Sequence, residues 1–182
     1  ETRGASLTLP EPAPHEMPSW ATISGTMDSL LQRVLEAIEC ETDVAAEVGT
    51  VIEAGRAARP QLEPTPEALA HLLAGAIVRD GTVISADGLD ASALWLSAAL
   101  ASKDARATKI FEDELVPVID ATLRRFSLTA EETSELRQRL RVHLLVSKPP
   151  AWPRITRFRG RGSLEGWVRT TSARYVLNAL TR

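Results

Sequence analysis

One cysteine, Cys40, among 182 residues leaves no partner for an internal disulfide. That scarcity fits a reducing compartment, and the expected location is the cytoplasm. The three histidines and the lone cysteine are scattered without metal-ligand spacing, so neither a metal nor another cofactor is expected. Long apolar runs are missing as well. The longest, Ala68 to Val78, is interrupted by His71 and is too short to span a bilayer, so no membrane partner is expected. No basic-then-apolar leader opens the sequence. Glu1 is not an initiator residue, and the chain is expected to be a processed or trimmed form. No Ser/His/Asp or Cys/His set stands out. Gly160-Arg161-Gly162 lacks the longer glycine pattern and the lysine of a nucleotide-binding loop. The expectation is a protein that is not an enzyme.

The apolar fraction of 44% is that of a globular protein with a core. Net charge is only −3, but it is unevenly spread. Ser147 to Arg182 holds eight Lys or Arg and a single acid, Glu165, a balance of +7 that leaves −10 on residues 1–146. Such asymmetry suggests an anionic partner for one end of the chain, although a solvated basic face would also account for it. Acidic clusters at Glu112-Asp113-Glu114 and Glu131-Glu132 read as solvated helix faces. His71 and His143 read as packing or surface residues, and Cys40 as a small hydrophobe.

Residues 1–22, with Pro10, Pro12, Pro14 and Pro18, read as an extended or disordered lead-in. Helical spacing begins at Met27, with Leu30, Leu31, Val34, Leu35 and Ile38 on one face. A second helix is expected over Asp43 to Ala58, with Val44, Val48, Val51 and Ile52 inward. Thr65, Pro66 and Glu67 form a start signal for a third, reaching Arg79. Asp80 to Gly88, with Gly81, Gly88 and the Val83-Ile84 pair, reads as a loop, a short strand being the alternative. Asp90 can cap a helix carrying Leu94, Trp95, Leu96 and Leu100, and a further helix over Asp104 to Phe126 should kink at Pro117. Thr129 with Glu132 reads as a capping box for a helix to Val146. Prolines 149, 150 and 153 break the chain, and Ser163 can cap a last helix over Leu164 to Leu180. The fold class is all-α, a multi-helix bundle.

The stretch Trp152 to Asn178 is the informative one. Arg157, Arg159 and Arg161 alternate across a loop, with Phe158 among them and Trp167 and Tyr175 on the helix that follows. Arginines hold phosphates by charge and forked hydrogen bonds, and aromatic rings stack on unpaired bases. The combination suits capture of single-stranded DNA. Against it, Leu164, Trp167, Val168, Thr171 and Tyr175 share a helix face, so Trp167 can equally be a core residue and Tyr175 reads as one.

At these residues the sequence resembles the sigma-70 family of RNA polymerase sigma factors, especially its short extracytoplasmic-function branch. Members carry a loop like YRGRGSLRAWLRTIARN, matched here by Phe158-Arg159-Gly160-Arg161-Gly162-Ser163-Leu164 and Trp167-Val168-Arg169-Thr170. Glu135-Leu136-Arg137-Gln138 resembles the family's DLxQ on the helix that docks on the polymerase clamp. The family's AR pair meets Ala173-Arg174 after a shift of one residue. The resemblance spans Ala91 to Arg182 and implies a division into the lead-in 1–22, a helical N-terminal extension 23–88, and a domain like sigma region 2 over 89–182. The family's helix-turn-helix domain for the upstream promoter element has no counterpart in this sequence.

The resemblance implies that the chain binds core polymerase through Glu135, Leu136, Gln138, Arg139 and Val142. It further implies recognition of the melted minus-10 promoter element through the 157–163 loop and the last helix. Arg157, Arg159, Arg161, Arg169 and Arg174 would meet phosphates, Trp167 would lie beside the bases, and Ser163 and Asn178 would meet base edges. Its partners would be core RNA polymerase, promoter DNA and, in regulation, an anti-sigma factor. Duplex binding by the isolated chain is expected to be weak. The alternative is a sigma-like helical protein-interaction module that does not engage promoters, with the acidic N-terminal half folded over the basic segment.

Overall fold

The computed structural model describes residues 25–38, 44–79, 82–83 and 85–181. The expected lead-in and Cys40 lie outside the described residues. Helices follow in the order α1 (Gly25–Ile38), α2 (Ala45–Ala58), α3 (Pro66–Ile77), α4 (Ala91–Ala101), α5 (Ala105–Ile110), α6 (Val116–Leu123), α7 (Ala130–Leu145) and α8 (Leu164–Leu180). The fold is an all-α bundle. Among the described residues the strand pairing is a two-residue antiparallel ladder, β1 (Val78–Arg79) with β2 (Thr82–Val83), and a single bridge between Leu89 and Arg161. The ladder takes the last two residues expected for the third helix.

α4 is the centre of the molecule. Its sequence is apolar on every side, and an all-round apolar helix must be enclosed on every side. Every residue from Ala93 to Ala101 is buried. α2 and α3 pack on it from the N-terminal side, α1 packs on α3, and the C-terminal elements meet its other side. The apolar cluster runs without interruption from Val34 to Val176, so residues on both sides of position 88 share one core. Asp90 caps α4, its side chain accepting the Ala93 N–H at 2.9 Å. The Trp95 indole N–H donates to the Leu62 carbonyl at 3.3 Å, so its buried ring leaves no unmet donor. Gly55 lets α2 approach: a Cβ there would lie 2.9 Å from the Trp95 Cβ and 3.0 Å from the Ala91 carbonyl.

The expected helix over 104–126 is not one regular helix. Between α5 and α6 the chain widens into a π turn, Phe111–Leu115, in which the Val116 N–H reaches back to the Phe111 carbonyl. Pro117 supplies the cause. It has no N–H to donate to the preceding turn, and the widened register absorbs that loss as well as the ring. α6 then packs on α8 and α7. α7 opens with the expected capping box: Thr129 Oγ1 accepts the Glu132 N–H at 3.2 Å, and the Glu132 carboxylate accepts the Thr129 N–H at 2.7 Å. Leu136, Leu140 and Leu144 form its buried seam. Ion pairs from Arg137 to Asp120 and from Arg141 to Glu112 fix α7 against α6 and the π turn.

Candidate nucleic-acid and polymerase interface

A short 3-10 turn, Arg154–Arg157, follows the proline break and buries Ile155 and Thr156. It feeds Phe158, also buried, into the core. The alternation this creates is physical: Ile155 and Phe158 anchor the segment, while Arg157, Arg159 and Arg161 are thrown outward. Gly160 turns the chain at φ +73° with its α-carbon against Leu94, and its carbonyl accepts the Asp90 N–H at 2.7 Å. Gly162 turns it again at φ +78° into Ser163. Only glycine takes such angles without strain, so the loop's shape is written in those two positions. Ser163 is exposed, but its oxygen is engaged as the α8 cap, accepting the Gly166 N–H at 3.1 Å.

α8 buries Leu164, Val168, Ser172 and Val176, a seam of i, i+4 steps. This differs from the expected face of Leu164, Trp167, Val168, Thr171 and Tyr175. Trp167 lies at the edge of the seam, half-buried, its ring edge-on to Phe158 at 6.3 Å between centroids. Tyr175 is half-buried on the same flank and tilts against His143 at 4.6 Å. Beyond that flank, Ser163, Trp167, Thr171, Arg174 and Asn178 follow helical spacing along one stripe. Arg174 and Asn178 are exposed on it. Arg169 is exposed but lies about 140° around the helix from Arg174 at 100° per residue. It therefore does not share the stripe with the other expected DNA contacts. Thr171, which the sequence groups with the core face, lies on this stripe instead, as the buried seam makes plain.

The electrostatic contrast within the molecule is clear. Arg33, Arg59, Arg137, Arg139 and Arg141 each meet a carboxylate within 4.0 Å. Among the described residues, none of Arg157, Arg159, Arg161, Arg169 or Arg174 has such a partner. Arg161 reaches instead to the Ser85 carbonyl at 3.3 Å, and Arg159 extends over the backbone of Gly75 on α3.

On α7, Glu135, Gln138, Arg139 and Val142 line one exposed stripe, opposite the leucine seam. Glu135 and Arg139 pair at 2.7 Å across one helical turn. Val142 is 48% exposed, an apolar side chain that the fold leaves uncovered. Leu136 differs from expectation: it is 6% exposed and faces the core, so it shapes the helix from behind and is not a surface contact. Gln138, Arg139, Val142, His143 and Tyr175 surround an open depression of about 350 Å³. Tyr175 and His143 thus join the α7 stripe to α8, a link the sequence did not reveal. Burial, then Arg154 and Arg157, push the His143 pKa below the ordinary histidine value.

Among the described residues no group of three or more His, Cys, Asp or Glu is placed to hold a metal ion, and no helix is long and apolar enough to cross a membrane. No protein-family model, curated protein or solved structure matches the chain.

Proposed function

We propose that this chain is a sigma-factor-like transcription initiation protein that binds core RNA polymerase and holds the melted minus-10 promoter strand. The observation that carries the reading is the set of outward arginines without acidic partners on the 157–161 loop and α8, beside the Ser163–Asn178 stripe. Cations carried on a glycine-shaped loop favour phosphates, and the half-buried Trp167 supports bases displaced from a duplex. Because Ser163 Oγ is engaged as a cap, Asn178, Arg174 and Thr171 are the better placed groups for base edges on α8. The α7 stripe of Glu135, Gln138, Arg139 and Val142 would dock on the polymerase clamp. The role is non-enzymatic, it belongs in the cytoplasm with the polymerase, and an anti-sigma factor would compete for the same surfaces.

Core-polymerase association tests the docking half of the reading. The chain should bind core enzyme, and Val142→Glu with Gln138→Glu should abolish binding while circular dichroism shows the chain still folded. Undiminished binding by that variant, or none by the unmodified chain, would contradict it. A specific observation favours the second reading, a helical interaction module without promoter use. α3 and the 85–90 segment hold the basic loop from one side, through Gly75 against Arg159 and Ser85 against Arg161. Polymerase binding with no strand binding at all would select that reading.

A further inference from the structure

Among the described residues, Phe111, Phe158 and Trp95 are at most 3% exposed, and Phe126, Trp167 and Tyr175 are half-buried. Trp152 is 38% exposed. It stands in the link between α7 and the 3-10 turn and is not left bare. The His71 ring of α3 stacks on it with centroids 4.9 Å apart and planes 15° from parallel. One turn further along α3, Gly75 lies under the Arg159 guanidinium, where even a Cβ would come within 1.7 Å of a terminal nitrogen. Trp152 also walls an open groove of about 490 Å³, whose other sides include Lys103, Leu145, Pro149, Pro150 and Pro153. Residues 147–161 carry Lys148, Arg154, Arg157, Arg159 and Arg161 and no acid.

These features share one chemistry. A tryptophan braced by a second ring offers a flat apolar surface, and cations in its neighbourhood suit the phosphates that flank a base. His71 supports the surface without adding charge. Partial burial, then the neighbouring Arg159, push its pKa below the ordinary value and favour the neutral ring. The prolines and Leu145 give the groove apolar walls for a planar ring, and Lys103 marks its rim.

We infer that Trp152, braced by His71 and sharing its groove with Lys103, with Arg159 one helical turn away over α3, is a second nucleic-acid site that stacks one unpaired base of a single strand. The inference rests on the strand-binding reading above and extends it to α3, a helix outside the region of family resemblance. Arg159 belongs to both surfaces, so the two lie on one continuous path for the strand.

The test uses the full chain with core polymerase and a labelled single-stranded minus-10 oligonucleotide extended on both sides, with one abasic position moved along it. The unmodified chain should lose affinity at a discrete extra position outside the minus-10 element. Trp152→Leu should weaken the intact strand about 5- to 100-fold and make that extra position indifferent, while Trp152→Phe should keep most of the effect. His71→Leu, on an exposed helix position, gives an independent second variant with a smaller loss at the same position. Strand binding that Trp152→Leu leaves unchanged at every abasic position would overturn this site alone. Absence of strand binding by the unmodified chain would overturn it together with the reading it rests on. A proline-rich peptide that fills the groove, with no abasic position sensitive to Trp152→Leu, would assign the groove to a protein partner and overturn the inference.

Discussion

Two helical glycines should respond to alanine with opposite signs. In the interior of a helix, Gly→Ala gains up to about 1 kcal/mol from backbone propensity. At Gly55 that gain meets a wall. The new methyl would lie 2.9 Å from the Trp95 Cβ and 3.0 Å from the Ala91 carbonyl, and both belong to the first turns of the buried helix α4. Overpacking of this kind costs about 1–3 kcal/mol, so Gly55→Ala should be neutral to about 2 kcal/mol destabilising. At Gly75 the approach is closer, 1.7 Å, but the obstacle is the far end of the exposed Arg159 side chain, which can swing into solvent. Gly75→Ala should therefore stabilise by up to about 1 kcal/mol. For a chain of this size each kcal/mol moves the melting temperature by about 2–4 °C. Thermal melting followed by circular dichroism should place Gly75→Ala at or above the unmodified protein and Gly55→Ala below it. Equal losses in both variants would refute the reasoning, because they would mean that Arg159 is a fixed prop between α3 and the loop.

Further expectations follow from single contacts. Ser163→Ala should cost about 0.5–2 kcal/mol, because its Oγ is the α8 cap, whereas Ser163→Asp should retain most of the stability in denaturant titrations. Gly160→Ala and Gly162→Ala should both be destabilising for their positive φ, and Gly160→Ala more so, since its methyl would also meet Leu94 at 2.7 Å; their melting temperatures give the order. Stability should decline as pH falls below the unfolded histidine value of about 6.5. His71 and His143 have folded pKa values below it, so the unfolded chain takes up protons first. Glu67, Asp104 and Glu132 are also lowered, but their contribution is complete above ordinary carboxylate values and is lost only in stronger acid. Denaturant midpoints between pH 5 and 8 should thus show a histidine-governed slope that weakens in His143→Phe. The isolated chain should bind duplex DNA weakly, with an affinity that falls steeply with salt in fluorescence anisotropy.

What the sequence made legible was local. Asp90, Thr129 and Ser163 act as caps because capping depends on a side chain and a backbone N–H two or three residues apart. The inward faces of α1 and α2 were readable because Val34, Ile38, Val48, Val51 and Ile52 sit on heavily one-sided helices. The α8 seam was harder. Apolar, aromatic and small polar residues all crowd that helix, and only the packing of α6 selects Ser172 and Val176 over Thr171 and Tyr175. Pro117 announced a disturbance, yet the choice of a widened turn over a bend depends on what Phe111 and Leu115 must bury. In the same way, Leu136 reads as one more residue of a matched motif until the leucine seam of α7 turns it inward. The stacking of His71 on Trp152 joins an N-terminal helix to a C-terminal link, and no spacing rule reaches that far.

The measurement that tests the central claim most directly is fluorescence anisotropy of a single-stranded minus-10 oligonucleotide, with and without core polymerase, for the unmodified chain and for Arg159→Ala/Arg161→Ala. The account predicts sequence-preferring binding that requires polymerase and is lost in the double variant while polymerase association persists. Binding equally strong in the variant, or no strand binding by a chain that associates with polymerase, would contradict it.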